Sequence, residues 1–169
     1  IFSKLKNKKE VPNDCESETH KRLRTAQTLI EYMGVGIDLK DCINRNALLY
    51  SIESADFASF KLLVDHGANI NTTDGDEYFS ALTYSVALAK LDPKFTKLLI
   101  ENNADVNICD RHGRTPIMFA HTAEKALLLL ENGAYLTHRD PQNGRTPLMM
   151  VFSNNVVSEE LSKSGKADC

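Results

Sequence analysis

The feature that most constrains this chain is a recurrence. Four helix-start signals, at Asn46, Ser80, Thr115 and Thr146, follow one another at intervals of 34, 35 and 31 residues. A period near 33 with two short helices in each copy gives a unit too small to bury its own apolar face, so neighbours must stack. The best-preserved copy opens Asp110-Arg111-His112-Gly113-Arg114-Thr115-Pro116-Ile117-Met118-Phe119-Ala120 and closes Leu129-Leu130-Glu131-Asn132-Gly133-Ala134. There the Thr115 hydroxyl can cap a helix. Pro116 suits the first helical position, where the N–H has no partner in any case. Gly133 stands where a helix end wants a residue at positive φ.

The other copies have drifted. Asp41 to Leu48 lines up with Asp110 to Ile117, with Asn44 in the place of Gly113. Asn is the non-glycine residue that best tolerates the left-handed conformation. That copy closes with Leu62-Leu63-Val64-Asp65-His66-Gly67-Ala68-Asn69-Ile70-Asn71. A further copy has Ser80-Ala81-Leu82 and closes Leu98-Leu99-Ile100-Glu101-Asn102-Asn103-Ala104-Asp105-Val106-Asn107, with Asn103 in the glycine place. The last has Thr146-Pro147-Leu148, then Leu161 and Gly165-Lys166-Ala167-Asp168. Ahead of them, Leu23, Ala26, Leu29, Ile30 and Met33 fall at helical spacing.

On these residues the chain resembles the ankyrin repeat family. Asp-x-x-Gly-x-Thr-Pro-Ile at Asp110–Ile117, together with the closing runs Leu62–Asn71 and Leu99–Asn107, carries the resemblance, which covers about Lys21 to Asp168. It implies an all-α solenoid of helix–turn–helix units whose turns project as hairpin-like fingers. A tetratricopeptide array has a similar period but lacks this finger chemistry. The expected organisation is a flexible basic lead-in (1–18), a degenerate N-terminal repeat or cap (19–40), and repeats at 41–73, 74–109, 110–139 and 140–169. The last is divergent or truncated: either its polar residues Ser158, Glu159, Glu160, Ser162 and Lys163 cap the array, or further repeats or another domain follow.

The family usually places His after Thr-Pro-Leu; here the places hold Leu49, Thr83, Met118 and Met149. Apolar contact is expected to replace its hydrogen bonds, with Met118, Met149 and Met150 as core filler. Between Thr115 and Gly133 the third copy is three residues short of the family plan, which calls for a tight interhelical turn around His121 to Lys125. Asp92-Pro93 should start a second helix. The finger Asp74-Gly75-Asp76-Glu77-Tyr78-Phe79 carries one extra residue and is acidic and aromatic.

Composition narrows the function. A net charge of -3 argues against nucleic-acid binding by the whole domain. No apolar run approaches the roughly 18 residues of a membrane span. Cys15, Cys42, Cys109 and Cys169 are far apart, neither a zinc spacing nor a dense disulfide framework; reduced thiols in the cytoplasm or nucleus fit them. His66, His112, His121 and His138 lack the i, i+4 pairing with an intervening carboxylate that a zinc helix needs. There is no phosphate loop and no nucleophile marked by a base. The expectation is no enzyme, no metal and no cofactor.

What remains is surface. The resemblance implies partner binding along a concave face of fingers and inner helices. The turn places are Cys42, Ile43 and Arg45; Asp76, Glu77, Tyr78 and Phe79; Arg111, His112 and Arg114; and Gln142, Asn143 and Arg145. Glu53, Ser54, Thr122, Ala123, Ser153 and Asn154 add the inner-helix places. Tyr and Arg are enriched at interface hot spots. The expected partner is another protein, and the sharpest test is charge reversal at Arg111 and Arg114, or Tyr78→Ala with Phe79→Ala. Two alternatives accompany this reading. The chain could be the substrate-recruiting arm of a larger enzyme or ubiquitin-ligase adaptor. It could also be an asparaginyl-hydroxylase substrate, with Asn107 matching the family's target and Asn71 matching it less closely; in that place the Asn is expected to bridge backbone groups within its own finger.

Overall fold

The computed structural model describes residues 18–33 and 36–150. Residues 1–17 of the basic lead-in, Val151, Ser153, Asn154, the polar residues Ser158, Glu159, Glu160, Ser162 and Lys163, Leu161 and the closing Gly165 to Cys169 lie outside the described residues. The chain divides into two compact units, residues 1–35 and 36–169. The first contains a single described helix, α1 (Glu18–Met33), on which the predicted apolar positions fall.

The second unit is built from helix pairs: α2 (Ala47–Glu53) with α3 (Phe57–Asp65), α4 (Ala81–Ala87) with α5 (Pro93–Glu101), and a single 3-10 turn (Pro116–Phe119) with α6 (Ala123–Glu131). A further helix begins at 147–150. Each first member packs on the next first member, α2 on α4 and α4 on the 3-10 turn, while α5 packs on α6. This is the stacked helix-pair plan that the recurrence demands.

The starts are set by side-chain caps. Asn46 accepts from the Leu49 N–H (3.2 Å), Asp56 from Ala58 and Ser59, and Ser80 from Thr83 (3.0 Å). Asp92 accepts from Lys94, with Pro93 at the first helical position, as the sequence predicts. Asn44 and Asn103 adopt φ of 65° and 62°, so both asparagines do stand in for glycine.

Thr115 departs from expectation. Its hydroxyl is buried and makes no hydrogen bond, and it caps nothing. The reason is the short third copy. The missing residues come out of the first helix, which shrinks to one 3-10 turn. The Met118 N–H is then held by the Thr115 backbone carbonyl at 3.0 Å, so the donor that a capping hydroxyl would serve is already taken. The turn between the helices is Ala120 to Thr122, and Lys125 lies inside α6.

The core is Leu48, Ile52, Phe60, Leu82, Val86, Phe95, Leu99, Ile117, Met118 and Leu129, all essentially buried. Each contributes on the order of 1.5–3 kcal/mol. Phe57, Phe60 and Phe95 form a triangle with centroids 4.9–6.0 Å apart, joining α3 to α5. Leu49 and Met118 fill their places by apolar contact. Thr83 does not, because its hydroxyl pairs with Ser80 at 3.0 Å, while Ser85 pairs with Thr96 at 3.0 Å. Met149 is 53% exposed and is not core filler; no described element covers that edge. In the place where α5 has Phe95, α6 has Lys125. It is buried, and its ammonium donates to the Leu88 carbonyl at the end of α4 (2.7 Å). Burial pushes its pKa below the ordinary lysine value.

Candidate protein-interaction edge

Four fingers rise from the helix pairs at residues 41–45, 74–79, 110–114 and 140–145. Each is folded by an aspartate at its root. The Asp41 carboxylate accepts the N–H groups of Ile43 and Arg45. Asp74 accepts from Phe79, Asp110 from His112 and Arg114, and Asp140 from Gln142. Asp41 is held below the usual carboxylate range by the Tyr50 hydroxyl and then the Arg45 N–H. Asp140 is held low by the Gln142 N–H.

Neighbouring fingers are bonded to one another. The Gly75 N–H donates to the Ile43 carbonyl (3.2 Å), and the Arg111 N–H to that of Glu77 (2.9 Å). His112 spans three fingers, with Nε2 2.8 Å from a Glu77 carboxylate oxygen and Nδ1 2.6 Å from the Gln142 amide nitrogen. The His138 ring lies 2.8 Å from the Gly113 carbonyl. His112 and His138 therefore join fingers.

A second row of bonds fixes the fingers to the helices beneath. The Tyr50 hydroxyl donates to Asp41 (2.6 Å). The Tyr84 hydroxyl donates to Asp74 (2.6 Å) and accepts from Arg45 (3.2 Å), and Arg45 also pairs with Glu53 (3.0 Å). Burial, then the bond to Asp74, pushes Tyr84 up to about 12. Arg114 pairs with Asp110 (2.7 Å) and lies over Phe119, 4.8 Å from its centroid; Phe79 packs edge-on against Tyr84 and Phe119. Tyr50, Tyr84 and Phe119 occupy one place, four residues after the cap position. Aligning the copies on their caps would have singled out these three residues.

The structure thus divides the predicted residues. Arg45, Phe79, Arg114 and His112 brace the fingers, so charge reversal at Arg114 or truncation of Phe79 would disturb the scaffold. Cys42, Ile43, Asp76, Tyr78, Arg111, Gln142, Asn143 and Arg145 are exposed. Tyr78 combines 53% exposure with φ of 57°. The equivalent places in the other fingers are Asn44, Gly113 and Gly144 at φ 65°, 74° and 65°, so the conformation belongs to the finger plan and only the tyrosine is unusual. A tyrosine there costs on the order of 1–2 kcal/mol, and such strain is a pointer to function.

Asn107 and Asn71 sit elsewhere, on a ladder that joins successive repeats. Asp38 accepts from the Asn69 N–H (2.8 Å), Asn71 from Asp105 (2.9 Å), and Asn107 from Tyr135 (2.9 Å). The Asn107 amide also donates to the Gly133 carbonyl (3.0 Å). These side chains bond to the following repeat, where the sequence reading placed the bridge within one finger. The period of the motif carries that information only once the copies are stacked.

Among the described residues no three His, Cys, Asp or Glu side chains gather into a group that could hold a metal ion. No described helix is long and apolar enough to cross a membrane.

No family model matches the chain. Curated relatives do. Human ankyrin repeat and SOCS box protein 6 is 32% identical over 115 residues, 65% of this chain and 27% of that protein. Regulatory protein NPR6 of Arabidopsis thaliana is 27% identical over 164 residues, 92% of this chain and 34% of that protein. Ankyrin repeat, SAM and basic leucine zipper domain-containing protein 1 of Dasypus novemcinctus is 29% identical over 120 residues, 67% of this chain and 25% of that protein. The chain spans about a quarter to a third of the length of the relatives it matches.

Proposed function

We propose, for what is an ankyrin-repeat chain, that the finger edge binds another protein without catalysis. The observation that carries the reading is Tyr78. It is a large, half-exposed aromatic held in a backbone conformation that suits glycine, on a finger bonded to both neighbours. A rigid aromatic at the centre of a braced edge loses little conformational entropy on binding, which is what an anchor residue needs. Asp76 and Arg111 flank it and can orient the partner. Ile43 of the first finger and Gln142, Asn143 and Arg145 of the fourth extend the edge.

Affinity capture from the source tissue tests this, comparing wild type with Tyr78→Ala, Arg111→Glu and Lys97→Glu, the last on the exposed outer face of α5. Partners lost with the first two and kept with the third support the finger edge. Partners lost only with Lys97→Glu would overturn it.

The relatives support a wider setting. Two of them carry other named parts beside their ankyrin repeats, and this chain covers only a fraction of each. A recruiting arm for activity elsewhere in a longer chain fits that proportion, and the full-length transcript tests it. Asn107 keeps the spacing of an asparaginyl-hydroxylase target. Because its amide is bonded at both ends to the next repeat, that repeat must unlatch before an enzyme can reach it. Absence of an added oxygen at Asn107 in native protein, by peptide mass spectrometry, would exclude the modification.

A further inference from the structure

The third and fourth fingers present arginines outward. Their root carboxylates, like that of the second finger, are turned inward: Asp74 is 3% exposed, Asp110 6% and Asp140 2%. Asp110 is occupied by two backbone N–H groups and the Arg114 guanidinium, and Asp140 by the Gln142 N–H and the Asn143 amide. The charged side chains most exposed here are Arg111, Arg139 and Arg145. Arg111 places one guanidinium nitrogen on the Asp76 carbonyl, and Arg139 one on the Gly144 carbonyl. Among the described residues each has one carbonyl partner for its five N–H donors.

Arg145 is the sharpest case. The residue just before the cap position is Arg45 in the first finger, Phe79 in the second, Arg114 in the third and Arg145 in the fourth. Arg45 is neutralised by Glu53 and bonded to Tyr84. Arg114 is neutralised by Asp110 and stacked on Phe119. The Arg145 side chain makes no hydrogen bond or close ion pair to any described residue, although it occupies the same place; its charge reaches the Asp140 carboxylate only as the weakest of that group's influences. A chain of net charge -3 therefore gathers three outward arginines at two adjacent fingers, beside the exposed Tyr78.

We infer that the segment recognised by this edge is acidic, with carboxylates on Arg111, Arg139 and Arg145 and an apolar side chain on Tyr78. Arginine takes carboxylates in a two-pronged geometry that a lone ammonium cannot match. The inference rests on the finger-edge reading and narrows it to one class of partner. A nucleic-acid strand fits less well. Asp76 and Glu77 stand next to Arg111 and would oppose a continuous phosphate backbone, and three arginines are a short track for one.

The test uses the full chain and a displayed library of random short peptides, with a single-stranded oligodeoxynucleotide as a parallel probe. Enriched peptides are expected to carry clustered Asp or Glu beside an aromatic or aliphatic residue. Arg145→Ala, which breaks no described bond, should weaken them about tenfold. Added Arg111→Ser and Arg139→Ser should abolish binding with the circular dichroism of the fold retained, the lost carbonyl bond at each lowering the melting point by only a few degrees. Neutral or basic peptides that still depend on Tyr78 would overturn the acidic-segment inference and leave the finger edge standing. Peptides indifferent to Tyr78→Ala and to all three arginines, or no enrichment at all, would count against both. Arginine-dependent binding of the oligonucleotide in place of peptide would overturn the inference in favour of nucleic acid.

Discussion

Gly113→Ala and Gly133→Ala form a matched pair that measures how firmly the fingers are joined. Both glycines are left-handed, at φ 74° and 87°. An alanine at either costs about 1 kcal/mol for the conformation, after allowing for the stiffer unfolded chain. A Cβ at Gly133 meets nothing within 4 Å. A Cβ at Gly113 would lie 2.6 and 2.8 Å from Pro141 Cγ and Cδ in the next finger. Relieving that contact means moving the fourth finger, which strains the bonds from His138 to the Gly113 carbonyl and from Gln142 to His112. Overpacking adds about 1–3 kcal/mol, so the expected cost is about 2–4 kcal/mol at Gly113 against about 1 at Gly133. At roughly 3 °C per kcal/mol for a chain of this size, the melting points should fall by about 6–12 °C and about 3 °C. Circular dichroism melts and urea titrations of both variants provide the comparison. Equal losses would refute the claim that the third and fourth fingers are locked together.

Three further outcomes follow from single side chains. Lys125→Met should be as stable as wild type at pH 7, or up to about 2 kcal/mol more stable, because it removes a buried ammonium held by one carbonyl. Since burial lowers the Lys125 pKa, its cost is complete at neutral pH and fades as pH rises toward the ordinary 10.5; denaturation across that range should show stability rising in wild type and flatter in the variant. Tyr84 acts in the opposite sense, because a pKa raised from 10.0 to about 12 stabilises the fold below pH 10 and is lost as pH climbs through 12. Tyr84→Phe should lose about 1–3 kcal/mol at pH 7 from the Asp74 and Arg45 bonds, and should remove that alkaline loss. Asn107→Ala deletes the bonds to Tyr135 and Gly133 and should cost about 1–3 kcal/mol, with hydrogen exchange accelerating at residues 133–137 ahead of α2 to α5; uniform acceleration would contradict the ladder.

The repeat was legible because its punctuation is local. Caps at Asn46, Ser80 and Asp92 and left-handed residues at Asn44 and Asn103 are set by bonds spanning a few residues, and period alone located them. Thr115 shows the limit of such reasoning. Its motif is the best preserved in the chain, yet a deletion further along turns its helix into a single 3-10 turn and leaves the hydroxyl without work. The edge was legible as a list of places but not as a division of labour. Arg114 and Arg145 hold equivalent positions. Only the fold shows that one is consumed by Asp110 and Phe119 while the other bonds to no described side chain. Lys125 was hidden because a lysine in an amphipathic helix reads as surface, and its burial depends on the carbonyl that α4 presents from the neighbouring repeat.

The central claim is that partners meet this chain at its finger edge. A photo-cross-linking amino acid placed at Tyr78, and in a second sample at Lys97 on the outer face of α5, tests it in one experiment on the assembled complex. The account predicts a cross-linked partner from position 78 and none from position 97. Cross-linking from position 97 with none from position 78 would contradict it.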